Sequence, residues 1–160
     1  MVEYLLNLLG GLSVEIKLIL ISMAPVVELR GSIPIGIAMG VEPFKALTIC
    51  MLGSLIPTPF ILFGVRPVFK WLKQTKLFRK FINNLSDKTL RRSKKVKKYG
   101  FWGLLIFVAT PLPGTGVWSG TLAAALLNMR FKVAFPAIVI GNFIAGVIIT
   151  LLSSNLLLAL

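Results

Sequence analysis

Glu28 and Arg30 set the chemical problem in this sequence. They stand two residues apart in Ala24-Pro25-Val26-Val27-Glu28-Leu29-Arg30-Gly31-Ser32-Ile33-Pro34, with apolar runs on either side. A carboxyl group so placed is suited to binding a proton or a cation. A guanidinium can grip an oxygen pair of a carboxylate or phosphate. Near a bilayer centre a charge costs ~2.5–3.5 kcal/mol even on the lenient insertion scale, so it faces a cavity or a partner. The alternative is a mutual ion pair that merely fixes the turn. Ser32 and Pro34 complete this candidate set.

A second candidate set is uncharged: Thr110-Pro111-Leu112-Pro113-Gly114-Thr115-Gly116-Val117-Trp118-Ser119-Gly120. Pro111 and Pro113 remove amide donors, Gly114 and Gly116 permit tight turns, and Thr115 adds a hydroxyl. Helix ends meeting at such a segment direct partial positive charge toward it, which suits an anion. Trp118 is placed to pack on a ligand or on protein. The alternative is a breaker that only turns the chain. Gly36-x-x-x-Gly40 and Gly116-x-x-x-Gly120 permit close helix contact.

The residue inventory excludes much else. There is no histidine, which removes histidine triads, Cys/His dyads and histidine metal sites. The lone Cys50 lies in an apolar run and reads as a packing residue. We therefore expect no enzyme, no metal and no cofactor. The chain begins Met1-Val2-Glu3 without a basic leader, so no cleaved signal peptide is expected. The hydrophobic fraction is 56%, and only 14% of residues are charged, too few to coat a water-soluble globule. Thirteen of the 18 Lys and Arg fall in residues 66–98, where Asp87 is the only acid. A basic block between hydrophobic runs reads as a cytoplasmic loop beside anionic lipid, not as a nucleic-acid surface.

The elements that would position these residues follow from run lengths. Twenty uncharged residues separate Lys45 from Arg66, and 28 follow from Val133 to Leu160; each run can span a core of ~30 Å. Lys17 to Glu28 encloses ten uncharged residues and Arg30 to Glu42 eleven, about half a membrane each. Tyr99–Met129 repeats the pattern with arms Tyr99–Ala109 and Thr121–Met129 around its broken middle. Paired broken segments in corresponding positions point to a transport site. The halves also align beyond the breaks. Phe44-Lys45 returns as Phe131-Lys132 at an offset of 87, and Gly53 returns as Gly141 at 88. We therefore expect an all-α integral membrane protein forming a single membrane domain over residues 1–160. It is an inverted repeat of a re-entrant helical hairpin plus a transmembrane helix. Repeat one is 14–66 and repeat two is 99–152, joined by a basic amphipathic cytoplasmic connector, 67–98. In the connector Val68, Trp71, Leu72, Thr75, Phe78, Ile82 and Leu85 recur at helical spacing, as in a helix lying on the inner leaflet; the alternative is a plain solvated linker. Four ordinary spans with proline kinks would instead make the halves parallel.

The segments Glu28–Pro34 and Pro111–Gly120 together resemble the small multi-drug export protein family over most of the chain. That family is in turn similar to the DedA (VTT-domain) superfamily. The resemblance implies re-entrant hairpins that carry lipid phosphates or couple to protons. In DedA-like proteins the second tip reads Arg-x-x-Pro-Gly-x-Arg; Thr110 and Gly116 stand where those arginines would be, leaving Arg30 as the intramembrane arginine near a tip. The expectation is a small transporter of the cell membrane. It would move an amphipathic or lipid-like substrate with an anionic group by alternating access between the two tips, coupled to a proton or cation at Glu28. The rival is a channel or a membrane-organising protein. Membrane lipids are the expected surroundings, and so few spans call for a homo-oligomer.

Overall fold

The computed structural model describes residues 11, 13–74, 94–112 and 114–158. Most of the expected connector, including its faces at Phe78, Ile82 and Leu85, lies outside the described residues, as does Pro113. Among the described residues all regular structure is helical: α1 (Val14–Met23), α2 (Glu28–Ala38), α3 (Pro43–Leu55), α4 (Pro57–Gln74), α5 (Lys94–Ala109), α6 (Val117–Leu126) and α7 (Phe131–Leu158). Proline explains several boundaries. Ala24 before Pro25 and Glu42 before Pro43 are both extended, with ψ of 134° and 135°, because a following proline ring excludes the helical region. Among the described residues two stretches are long and apolar enough to cross a membrane, Pro43–Val65 (mean hydropathy 1.9) and Phe131–Asn155 (2.3). At 1.5 Å per residue, α1, α2 and α6 reach only ~15–17 Å, about half a bilayer core.

One expectation needs correcting. The first break is only Ala24–Val27, and Gly31 and Pro34 lie inside α2. Pro34 offers no amide hydrogen to the Arg30 carbonyl, yet the helix carries on, as proline-containing helices do when packed among neighbours. Glu28 and Arg30 are therefore first-turn helical residues, not members of an irregular loop. The second break is likewise shorter than expected: Val117–Gly120 is already α6.

The chain divides into two compact units, Met1–Ile56 with Phe143–Leu160, and Pro57–Asn142. In the first, Leu18, Leu29, Ile33, Ile37, Ala46, Leu47 and Cys50 form the core, with Val147 and Ile149 of α7 against it. Close approach is built on glycine. A Cβ at Gly36 would lie 2.9 Å from Leu18 Cδ1, and one at Gly53 would lie 2.9 Å from the Ile19 carbonyl and collide with Ser22. In the second unit Leu104, Val108, Val117, Ala123, Ala124 and Ile138 are buried. There a Cβ at Gly120 would meet Val108 at 2.5 Å, and one at Gly141 would meet the Leu105 carbonyl at 2.7 Å. Each expected glycine pair thus divides its labour. Gly36 and Gly120 pack helices, while Gly40 and Gly116 turn the chain at φ 83° and 140°.

The helix ends repeat as well. The amides of Met39, Gly40 and Val41 donate to the carbonyls of Ile35, Ile37 and Gly36. Eighty-eight residues on, Leu127, Asn128 and Met129 donate to Ala123, Ala125 and Ala124. Both are left-handed C-terminal caps, with Gly40 at φ 83° and Asn128 at φ 54°.

Candidate functional site

The turn before α2 brings Glu28 inward. Its backbone is left-handed, φ 49°, a conformation that costs a residue with a Cβ ~1–2 kcal/mol. Its amide donates to the Ala24 carbonyl at 3.0 Å, and its carbonyl accepts the Ser32 hydroxyl at 2.7 Å. The side chain is 6% exposed. Ser32, one turn along, is fully buried and lies within reach of the Cys50 thiol. Arg30 is partly buried, and the Glu28 carboxylate acts on it electrostatically. Pro34 sits a further turn along α2, half-buried. Four of the expected site residues therefore share one short helix, with Glu28 and Ser32 in direct contact.

The second break is organised by Thr115. Its hydroxyl lies 2.6 Å from the Thr110 carbonyl and 2.8 Å from that of Leu112, and it accepts from the Leu112 amide at 3.3 Å. Its own amide donates to Leu112 at 3.2 Å. One side chain thus crosses the loop and closes it. The Thr110 hydroxyl is turned back to the Ile106 carbonyl at 2.6 Å. Pro111 and Gly114 lie exposed, Gly116 is buried at the start of α6, and Trp118 is half-buried in its first turn. Gly114 and Gly116 both hold positive φ, 81° and 140°, which explains glycine at each. The two break segments belong to different compact units.

Sequence reading missed other buried polar groups. Ser22, Ser54, Thr58, Thr121 and Asn142 are at most 1% exposed. Ser22, Ser54 and Thr121 donate to carbonyls three or four residues back, at 2.8, 3.0 and 2.5 Å, the usual way an apolar helix satisfies a hydroxyl. Among the described residues the Thr58 hydroxyl has no hydrogen-bond partner. Spacing gives no sign of Ser22, Thr58 or Thr121, whereas Ser54 and Asn142 each follow one of the paired glycines and correspond at the 88-residue offset. Among the described residues no group of His, Cys, Asp and Glu could hold a metal ion.

With two breaks, each leading into a half-length helix, and two stretches long enough to span, the family assignment has structural content. The family model described as "Putative small multi-drug export protein" matches residues 28–148, from the first residue of α2 to the middle of α7. The chain belongs to that family. No curated protein matches it, and no solved structure does. A small multi-drug export protein is by that description a membrane transport protein, and the two long apolar helices agree with it.

Proposed function

We propose that this protein is a small transporter that moves an amphipathic, lipid-like molecule with an anionic group, and that Glu28 and Arg30 are its working charges. The observation that carries the reading is the double cost at Glu28. A buried acid is unfavourable in an apolar setting, and left-handed backbone is unfavourable for any side chain. Asn or Gly would relieve both, so a carboxylate at this position points to chemistry rather than to packing. Arg30 holds the anionic end of the cargo; Glu28 takes up the coupling proton or cation. α1–α2 and α5–α6 act as re-entrant hairpins, each followed by one span. The equivalent caps and glycine contacts 88 residues apart support that repeat. A single crossing between the hairpins makes it inverted, so that alternating access exposes one break to each face, with residues 66–98 cytoplasmic. The preference for a lipid-like cargo follows the DedA resemblance. A homo-oligomer completes the walls that so few spans leave open, and particle mass in nanodiscs would reveal a monomer if that is wrong.

Proton-driven flux in proteoliposomes, with a panel of lipids and cationic drugs, tests the mechanism. Arg30→Ala should weaken anionic cargo binding by ~1.5–3 kcal/mol, and Arg30→Lys should restore it only in part. Glu28→Gln should bind cargo yet lose proton coupling. A purely structural pair gives the opposite pattern: both single variants lose stability, and Glu28→Gln/Arg30→Met regains stability and flux together. For the topology, cysteines placed singly at 26 and 112 in a Cys50→Ala background should label from opposite faces. Labelling from one face would leave four kinked spans as the better reading.

A further inference from the structure

One end of the second unit gathers cations and amphipathic aromatics. Gly141 of α7 backs onto Leu105 and Ala109 of α5. The chain reverses at 110–116 and again at 127–130, so α5 and α7 run the same way. Ten residues back from Gly141 is Phe131; ten back from Ala109 is Tyr99. Tyr99, at the foot of the straight part of α5 beyond the Gly100 break, and the start of α7 therefore lie at one level. There Lys98, Arg130 and Lys132 are exposed, with Tyr99 55% and Trp102 66% exposed. Lys98 Nζ lies 5.2 Å from the Tyr99 ring centroid. Gly100, at φ 54° and ψ −119°, breaks the helix just where the basic turn gives way to the apolar arm.

The matching end of the first unit is different. Lys45, 87 residues before Lys132, is held 2.7 Å from Glu15. Among the described residues Lys132 makes no ion pair. Among the described residues the corresponding lysine is paired in one half and not in the other.

We propose that Lys98, Arg130 and Lys132, framed by Tyr99 and Trp102, form a binding surface for the phosphate headgroups of anionic phospholipids in the surrounding bilayer. Tyrosine and tryptophan sit at the headgroup level, where their rings meet hydrocarbon and their polar edges meet water. The bases beside them supply the charge that anionic lipid seeks. The surface rests on the membrane reading of the chain and is independent of transport, so an absence of flux would leave it standing.

The test is retention of phosphatidylglycerol against phosphatidylcholine by the full-length protein in detergent, read by native mass spectrometry. Wild type should prefer phosphatidylglycerol. Arg130→Gln and Lys132→Gln should each weaken that preference about fivefold, the equivalent of ~1 kcal/mol per base near an anionic surface. Lys45→Gln should leave it unchanged. Raising salt to ~1 M should erase the preference in the unmutated protein, since the screening length falls to ~3 Å. Equal retention of both lipids, a loss on Lys45→Gln as large as on Lys132→Gln, or displacement of the lipid by inorganic phosphate at matched ionic strength would each overturn the proposal.

Discussion

The two break segments answer the same architectural demand with different chemistry. Before α2 the chain turns in four residues and places a buried acid and a partly buried arginine in the next helical turn. Before α6 it turns in seven residues, holds itself with one threonine hydroxyl and two left-handed glycines, and carries no charge. The difference separates shape from chemistry. Equivalent caps and equivalent glycine contacts fix the shape in both halves. The residues at the break itself are then open to divergence, one toward charge and the other toward backbone geometry.

The most damaging way to probe this comparison is at the shared glycines. Gly53→Val and Gly141→Val each push side-chain carbon into a neighbouring carbonyl, at positions where the distances leave no room. Overpacking of this kind costs ~1–3 kcal/mol, and more where the obstacle is backbone. Both variants should show lower melting temperatures by similar amounts; if only one did, the halves would not share a packing rule. A smaller effect is expected at Thr115. Thr115→Val removes the hydroxyl that closes the loop while keeping its shape, so the loss should be ~1–2 kcal/mol from the donated and accepted bonds. Thr115→Ser should recover most of it. A role in gripping cargo would appear instead as weaker substrate binding at unchanged melting temperature.

The smallest effect concerns Glu15 and Lys45. The hydrogen bond from Lys45, more than any other contact, holds the Glu15 carboxyl at about 2, below its ordinary 4.5. A carboxyl depressed in the folded protein contributes stability that is complete above its unfolded value and is lost as the pH falls toward the folded one. The contribution should therefore fade between pH ~4.5 and ~2, and it is slight because both side chains are exposed to screening. Lys45→Gln should flatten that part of an acid melting curve. Lys132→Gln should not, because among the described residues no carboxylate pairs with it.

Much of this plan is readable in residue order. Runs of ten and eleven uncharged residues foretell the short helices, because charges mark where the chain meets water. The 87- and 88-residue offsets foretell which glycines correspond. Proline misleads in one place. Pro25 and Pro43 do impose extended neighbours, but Pro34 sits within α2, because a missing donor is tolerable where neighbouring helices enclose the backbone. The hold that Thr115 exerts on its loop is invisible in sequence for a different reason. A hydroxyl takes whichever carbonyls the folded loop presents, and those carbonyls belong to positions that any residue would supply. The left-handed backbone of Glu28 is hidden too, since nothing in its side chain prefers it.

The paired caps at Gly40 and Asn128 have a consequence for how such halves age. Left-handed backbone admits a short roster of residues, glycine first and asparagine next. Substitution at these two points is therefore channelled, while lipid-facing neighbours can drift freely among apolar types. After enough mutations, letter-by-letter comparison of the two segments would lose their likeness among interchangeable leucines, isoleucines and valines. The hydrogen-bond register of the two caps would still keep it, written in backbone angles.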